Sequence, residues 1–507
     1  MRAMKSLLAL PVLALAAVKD DEVSELPGFP GPYPFKLYSG FLNVTFSPTI
    51  NGYDGARIHY QFHTSQRESH ATDPVVAWHT GGPGGSSIYG QYAELGYFQV
   101  STSEGETVND YSWNNVANML FLEAPAGSFL TPVDEHSGFS YCTKNGTRQE
   151  KCSWDDVTQA QAYVHTLQSF FAAYPELSDN DFFLAGESYA GQYIPNIANE
   201  LLSSTPEGVP PLQGIAVGNG CWGGNASSVV CNGPNEDAND VEFYHGKGLV
   251  STKLYKEIQS TCEFPSVSDD CEKLLKKMDK AVGPHNVYNV YDNCPNLDSD
   301  GKMSISDWLV HTGKSQRWLR KYLSANLVNT GVYDELDRIG LAGAQKQGLD
   351  LENPASGGGY DWTCGQFDAL PKYFAREDVR KALHLPTTSE TSTFEYTSSG
   401  PASITLYPEL VKQVRVLIYN GDADTCVPYI GNEEWTTSLA EAGVLTETSE
   451  WHPWYQSNST SSPTGYATTY GHNFQFATVR LAGHQVPKNM PEASLALISA
   501  LLEHRSL

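Results

Sequence analysis

The run DFFLAGESYAGQYIP, residues 181–195, sets one serine, Ser188, between Glu187 and Tyr189 where an apolar stretch gives way to an amphipathic one. A serine hydroxyl attacks a carbonyl efficiently when a rigid turn projects it, a base removes its proton and N–H donors receive the oxyanion. A sharp strand-to-helix turn with small neighbours supplies the projection. Gly186 and Ala190 are those neighbours, so the pattern is G-x-S-x-A in place of G-x-S-x-G. Taken alone, it also describes a buried serine at an ordinary helix start. Two later strand ends change the balance. VRVLIY runs into Asn420-Gly421-Asp422-Ala423-Asp424, and FATVRLAG runs into His484-Gln-Val-Pro. Serine, acid, histidine, with the last two just beyond strands, is the chain order of hydrolases built on a strand–serine–helix turn.

These groups need a scaffold. Residues 33–70 alternate aromatic or branched with polar residues around an Asn-Gly turn signal, which predicts a meander of short strands. PVVAWHTGGPGGSS reads as a buried strand, residues 74–78, opening into a loop of four glycines and a proline, and NNVANMLFLEAPAG as a second such strand. VTQAQAYVHTLQSFFAAYP and YAGQYIPNIANELL have helical spacing. Strands alternating with helices imply an α/β fold with a mainly parallel central sheet flanked by helices. After GIAVGNG the rhythm stops for about 140 residues. The organisation expected is a signal peptide at 1–16, a first core part at 17–221, an inserted, mostly helical cap at 222–362 and a second core part at 363–507.

The chain has 507 residues, with 58 acidic against 32 basic, a formal charge of −26. That charge argues against nucleic acid or an anionic membrane as partner, and suits work at acid pH. Arg2 and Lys5 precede a short apolar run and Ala14-Leu15-Ala16, the layout of a secretory signal peptide; the run is too short to span a bilayer, and no later stretch qualifies. Export makes the sequons at Asn43, Asn145, Asn225 and Asn458 glycosylation candidates. It also makes disulfides expected among the nine cysteines. Spacing suggests Cys142–Cys152, Cys221–Cys231, Cys262–Cys271 and a long-range Cys294–Cys364, leaving Cys426 over; sequence alone leaves the connectivity open.

With these residues in view, the chain resembles the serine carboxypeptidases of the α/β-hydrolase fold. GESYAG matches their nucleophile motif, GDAD their acid motif, AGHQVP their histidine motif, and WHTGGPGGSS their oxyanion loop, with AELG following it. The resemblance covers nearly the whole mature chain. It implies Ser188 as nucleophile, His484 as base and then acid, and Asp424 rather than Asp422 as the orienting carboxylate. The N–H groups of Gly82 and Tyr189 would form the oxyanion hole. Glu187 and Glu94 match the glutamates that bind the substrate's free C-terminal carboxylate, with Trp78, Thr80 and Gly81 beside them. Two adjacent carboxyls share a proton and gain raised pKa values, so in acid they donate hydrogen bonds to a third. The partner expected is therefore a peptide or protein with a free C-terminus; no cofactor and no metal are called for, the homodimer is left open, and the destination is the vacuole, the lysosome or the exterior.

Three departures stand out. The family's loop asparagine is Thr80, which keeps one hydroxyl donor. Its disulfide-bonded loop cysteine is Gly85, and the loop after LHLP holds no stranded partner. SFLTPVDEHS lengthens the link between EAPAG and GFSY, and would either narrow the cleft or reflect an error in the coding sequence. Residues 296–307 imitate a calcium loop but begin with Asn, end with Asp and lack an entering helix, so they read as a solvated loop. Two other functions fit the same scaffold: transfer of an acyl group from a sugar ester to an alcohol, as in plant relatives, and a non-catalytic binding protein. Thr80 leaves the first open, Glu187 favours the peptidase, and an intact triad with its oxyanion donors disfavours the second.

Overall fold

The computed structural model describes residues 20–101, 105–130, 138–223, 231–283, 285–291, 369–386, 391–400, 402–456, 462–471 and 473–507. The segment 1–16, Asn225, Asn458, Cys294, Cys364 and the loop 296–307 lie outside the described residues.

Residues 33–70 build two long strands rather than several short ones: β1 (Leu37–Ile50) and β2 (Tyr53–His63). Asn51 and Gly52 join them with φ of 50° and 78°, the paired positive values that a two-residue turn requires. One continuous ladder then runs from the Ile50↔Tyr53 pair to Leu37↔His63, with a single irregularity. β3 (Val75–His79), β4 (Asn118–Leu122), β5 (Phe182–Glu187), β6 (Leu212–Gly218) and β7 (Arg415–Gly421) follow, then β8 (Glu447–Trp454), β9 (Gly465–Tyr470) and β10 (Phe474–Val479). In space the order is β1-β2-β4-β3-β5-β6-β7-β10-β9-β8. The centre, β4 to β10, is parallel, and antiparallel pairs flank it on both sides.

The parallel strands are mostly apolar and buried almost throughout because both faces are covered. Alternate residues separate cleanly. Val75, Ala77, Leu184 and Ile215 enter one core with α2 (Asp156–Ala173) and α3 (Ala190–Ser204). Val76, Trp78, Phe183 and Ala216 enter the other, against a C-terminal helix, Pro491–Leu502. Asp155 caps α2 by accepting from Val157 N and Thr158 N. Beyond β6, three helices enclose a small core of their own: α4 (Glu236–Gly246), α5 (Thr252–Thr261) and α6 (Asp269–Val282), packed on Val241, Phe243, Ile258, Leu275 and Met278. Disulfides join Cys142 to Cys152, Cys221 to Cys231 and Cys262 to Cys271. The four strands β3, β5, β7 and β10 all end on one edge of the sheet, where such folds place their chemistry.

Candidate active site

Ser188 sits directly after β5 with φ 62°, a left-handed conformation uncommon for a side-chain-bearing residue and a mark of a strained corner. Its N–H donates to Gly218 O, and its carbonyl accepts from Gly191 N and Cys221 N, so the turn is tied to the end of β6. A Cβ on Gly186 would stand 2.6 Å from that of Ala190 and 2.4 Å from His79 O. Glycine is therefore obligatory at 186, and given it, alanine fits at 190. No side chain caps α3, whose N-terminus opens on the serine.

The glycine loop leaves β3 against this corner. A Cβ on Gly81 would lie 2.4 Å from Tyr189 N and 2.8 Å from Ser188 Cβ, and Gly82 has φ 118°, so both positions exclude larger residues. Neither Gly82 N–H nor Tyr189 N–H donates to a backbone acceptor among the described residues. Tyr189 is held at its far end, where its hydroxyl donates to Asp156 Oδ1 at 3.1 Å. Burial pushes Asp156 up to about 6.

His484 follows β10 and donates from Nδ1 to Asp424 Oδ2 at 2.6 Å. The carboxylate can only accept in this pair, so the proton is on Nδ1 and Nε2 is left as the basic nitrogen. Asp424 is wholly buried and also accepts from Asn219 Nδ2, Cys426 N and Val427 N. Asp422, by contrast, is a quarter exposed, pairs with Lys247 at 3.6 Å and accepts from Leu481 N.

Glu94 and Glu187 are both buried, Glu187 directly before the serine, and close enough for the charge of Glu94 to act on Glu187. Two neighbouring carboxyls in so dry a place favour holding one proton between them over ionising together. Desolvation raises both, Glu94 to about 7, and the Glu94 charge pushes Glu187 further. Gln485 Nε2 donates to Glu94 Oε1 at 2.7 Å. Glu94 itself stands on a helix that begins at Ser87 and widens into a π-turn over Gln91–Leu95. Thr80 Oγ1 accepts from Trp78 Nε1 at 3.0 Å, which leaves its own hydroxyl proton to donate. Trp78 is entirely buried and packs edge-on against Trp113, so it bears on the site through Thr80.

The insert meets the glycine loop at its start. Phe129 N donates to Gly84 O and Ser86 N to Phe129 O, while a Cβ on Gly138 would lie 2.0 Å from Ser128 O. The chain thus leaves and returns at one point, and residues 131–137 are outside the described part. Under that neck, Glu123 accepts from Ser86 Oγ, Phe139 N and Ser140 Oγ, and burial raises it to about 7. Asn43 and Asn145 are exposed. No cluster of three or more His, Cys, Asp or Glu suited to a metal occurs among the described residues, and no helix there is long and apolar enough to cross a membrane.

Sequence reasoning passed over three polar residues of the site. Asn219 signalled itself only as the polar residue in the strand end GIAVGNG, Gln485 only as the neighbour of His484, and Glu123 only as the acid closing a buried strand.

The family model described as serine carboxypeptidase matches residues 27–504. The chain is 30% identical to serine carboxypeptidase-like 20 of Arabidopsis thaliana, over 97% of this chain and 95% of that protein. Serine carboxypeptidase ctsa-4.1 of Caenorhabditis elegans is likewise 30% identical, over 97% and 95%. Serine carboxypeptidase 1 of Hordeum vulgare is 28% identical, over 96% and 93%. Among solved structures, a prohormone-processing carboxypeptidase of Saccharomyces cerevisiae superposes with a TM-score of 0.62 at 19% identity, covering 96% of each chain, which shows the same fold. With the match running from residue 27 to residue 504, the chain belongs to the serine carboxypeptidase family, hydrolases of the α/β-hydrolase fold.

Proposed function

We propose that this enzyme removes single residues from peptide C-termini at acid pH through an acyl-enzyme formed on Ser188. Ser188 Oγ attacks the scissile carbonyl as His484 Nε2 takes its proton; Asp424 holds the imidazole and stabilises its positive charge. The oxyanion is received by the N–H groups of Gly82 and Tyr189. His484 then gives the proton to the departing amine, and an activated water repeats the sequence to release the peptide acid.

The observation that carries this reading is the Glu94–Glu187 pair. A buried, proton-sharing pair of carboxyls immediately beside the nucleophile is costly unless it meets a ligand. In acid it offers an O–H donor to a substrate carboxylate, with the Thr80 hydroxyl and the Gly81 backbone alongside. Only the last residue of a peptide carries that carboxylate, so the cut falls one residue from the end.

The segment 222–362 we read as an inserted cap, and the disulfides as a sign of the secretory route to an acidic compartment or the exterior. Release of the terminal amino acid from N-blocked dipeptide acids and their amides between pH 4 and 8, with Ser188→Ala as control, tests the proposal. Ser188-dependent release from the acids at low pH supports it. Ser188-dependent turnover of activated esters alone would replace it with acyl transfer, a reading that Thr80 in place of asparagine keeps open.

A further inference from the structure

Residues 285–291, which continue the chain beyond α6, run between the two loops that carry Asp424 and His484. Thr425 donates to Val287 O from both its N–H, at 2.8 Å, and its hydroxyl, at 2.7 Å, and Val290 N donates to Ala423 O at 3.0 Å. On the other side, His484 N donates to Tyr288 O at 2.7 Å. The Tyr288 ring lies 5.1 Å from the imidazole of His484, tilted by 59°. A Cβ on Gly483 would stand 2.2 Å from Tyr288 O and 2.7 Å from Asn289 Cβ, so the strap approaches the histidine loop as closely as glycine permits. Asn286 and Asn289 stiffen it by accepting from the N–H groups two residues on, at Tyr288 and Tyr291. His285 ties it back to Thr425 Oγ1 and packs edge-on against Tyr244 of α4.

We infer that this strap, with Tyr288 as its positioning residue, sets the placement of His484 relative to Asp424 and so forms part of the catalytic apparatus. The acid and the histidine stand on loops after neighbouring strands, and loops tolerate displacement that strands do not. Backbone bonds from one segment to both loops add to the direct Ala423 N to Ala482 O bond in holding their separation, and the Tyr288 ring packs against the imidazole at a tilt. Displacement of a catalytic group by about 1 Å can cost on the order of 100-fold in rate. The inference rests on the triad reading above.

The test uses the full chain with Tyr288→Ala and Tyr288→Phe, read by the rate at which a fluorophosphonate modifies Ser188 and by kcat and KM on an N-blocked dipeptide acid. In folded Tyr288→Ala, a fall of about 10- to 100-fold in both modification rate and kcat, with KM changed less than about twofold, is expected, and Tyr288→Phe should match wild type. A weakened downfield proton signal from the His484–Asp424 bond would accompany it. Wild-type rates in folded Tyr288→Ala overturn the inference. Gly483→Ala provides a second route, since its Cβ pushes the strap away while keeping every strap side chain; unchanged kcat in that folded variant also overturns it. Should every one of these variants fail to fold, the strap is structural only and the inference falls. Should wild type itself resist the fluorophosphonate, the triad reading falls, and the strap with it.

Discussion

Gln485 donates its amide to Glu94 Oε1 at 2.7 Å, which ties the residue after His484 to the carboxyl pair beside Ser188. The loop that carries His484 thus reaches the carboxyl pair through its next residue. Gln485→Ala leaves a buried Glu94 oxygen without its donor, a loss of about 1–3 kcal/mol. Peptide acids should show KM raised about 5- to 100-fold while peptide amides change little, a contrast read from parallel kinetics. Equal losses on both substrates would place Gln485 in His484 support instead.

The carboxyl pair also sets a pH dependence. Burial raises both groups, Glu94 to about 7, and the Glu94 charge raises Glu187 further, so the pair holds a proton in acid and gives it up as pH rises through that region. On the proposed function, the protonated pair donates to a substrate carboxylate and the doubly ionised pair repels it. KM for peptide acids should therefore climb from about pH 6 upward and steeply above about 7, with amides far less affected. Glu94→Gln should flatten that climb, since its amide donates at every pH. Parallel profiles for acids and amides would remove the pair from carboxylate binding.

Asp424 and Asp422 differ by two positions and by environment. Asp424 is buried with four donors, including His484, whereas Asp422 is partly solvated beside Lys247. Asp424→Asn should lower kcat by roughly 10⁴-fold, because the imidazole then loses its acceptor and its tautomer. Asp422→Asn should stay within about 10-fold of wild type and cost less than about 1 kcal/mol. Asn219 bridges Asp424 Oδ2 and Gly421 N, so Asn219→Ala should fall between them in activity.

Buried ionisable groups predict where the fold is most stable. His59 and His63 are lowered to about 3 and His79 to about 4, all mainly by desolvation. Their unfolded values lie near 6.5, so below that pH the unfolded chain binds more protons and stability falls with acid. Glu123 and Asp156 are raised to about 7 and about 6. The folded chain keeps their protons above the unfolded values, so their contribution is lost as pH rises. Together with the Glu94–Glu187 pair they place the maximum of thermal stability at about pH 5. Calorimetry from pH 3 to 8 checks this, and Glu123→Gln should reduce the decline on the alkaline side.

Much of this was legible in the chain itself. The glycines at 81, 82 and 186, the serine between two strands' ends and the aspartate–histidine order are local devices, because backbone conformation and close approach restrict residue type on the spot. The apolar runs of β3 to β7 announced a doubly covered sheet for the same reason. Around Asn51-Gly52 the alternation predicts shorter pieces than the two-strand hairpin that forms, since register and ladder length depend on a partner strand that periodicity does not specify.

What stayed hidden are contacts between residues far apart in sequence. Gln485 with Glu94, Asn219 with Asp424, and residues 285–291 between the acid and histidine loops are each separated by tens to hundreds of positions. By itself, then, the sequence determined which residue types stand at the ends of which strands. The tertiary structure alone decided which buried carboxyl meets which partner, because shared protons and orienting bonds depend on distances of a few ångströms that only the closed fold sets.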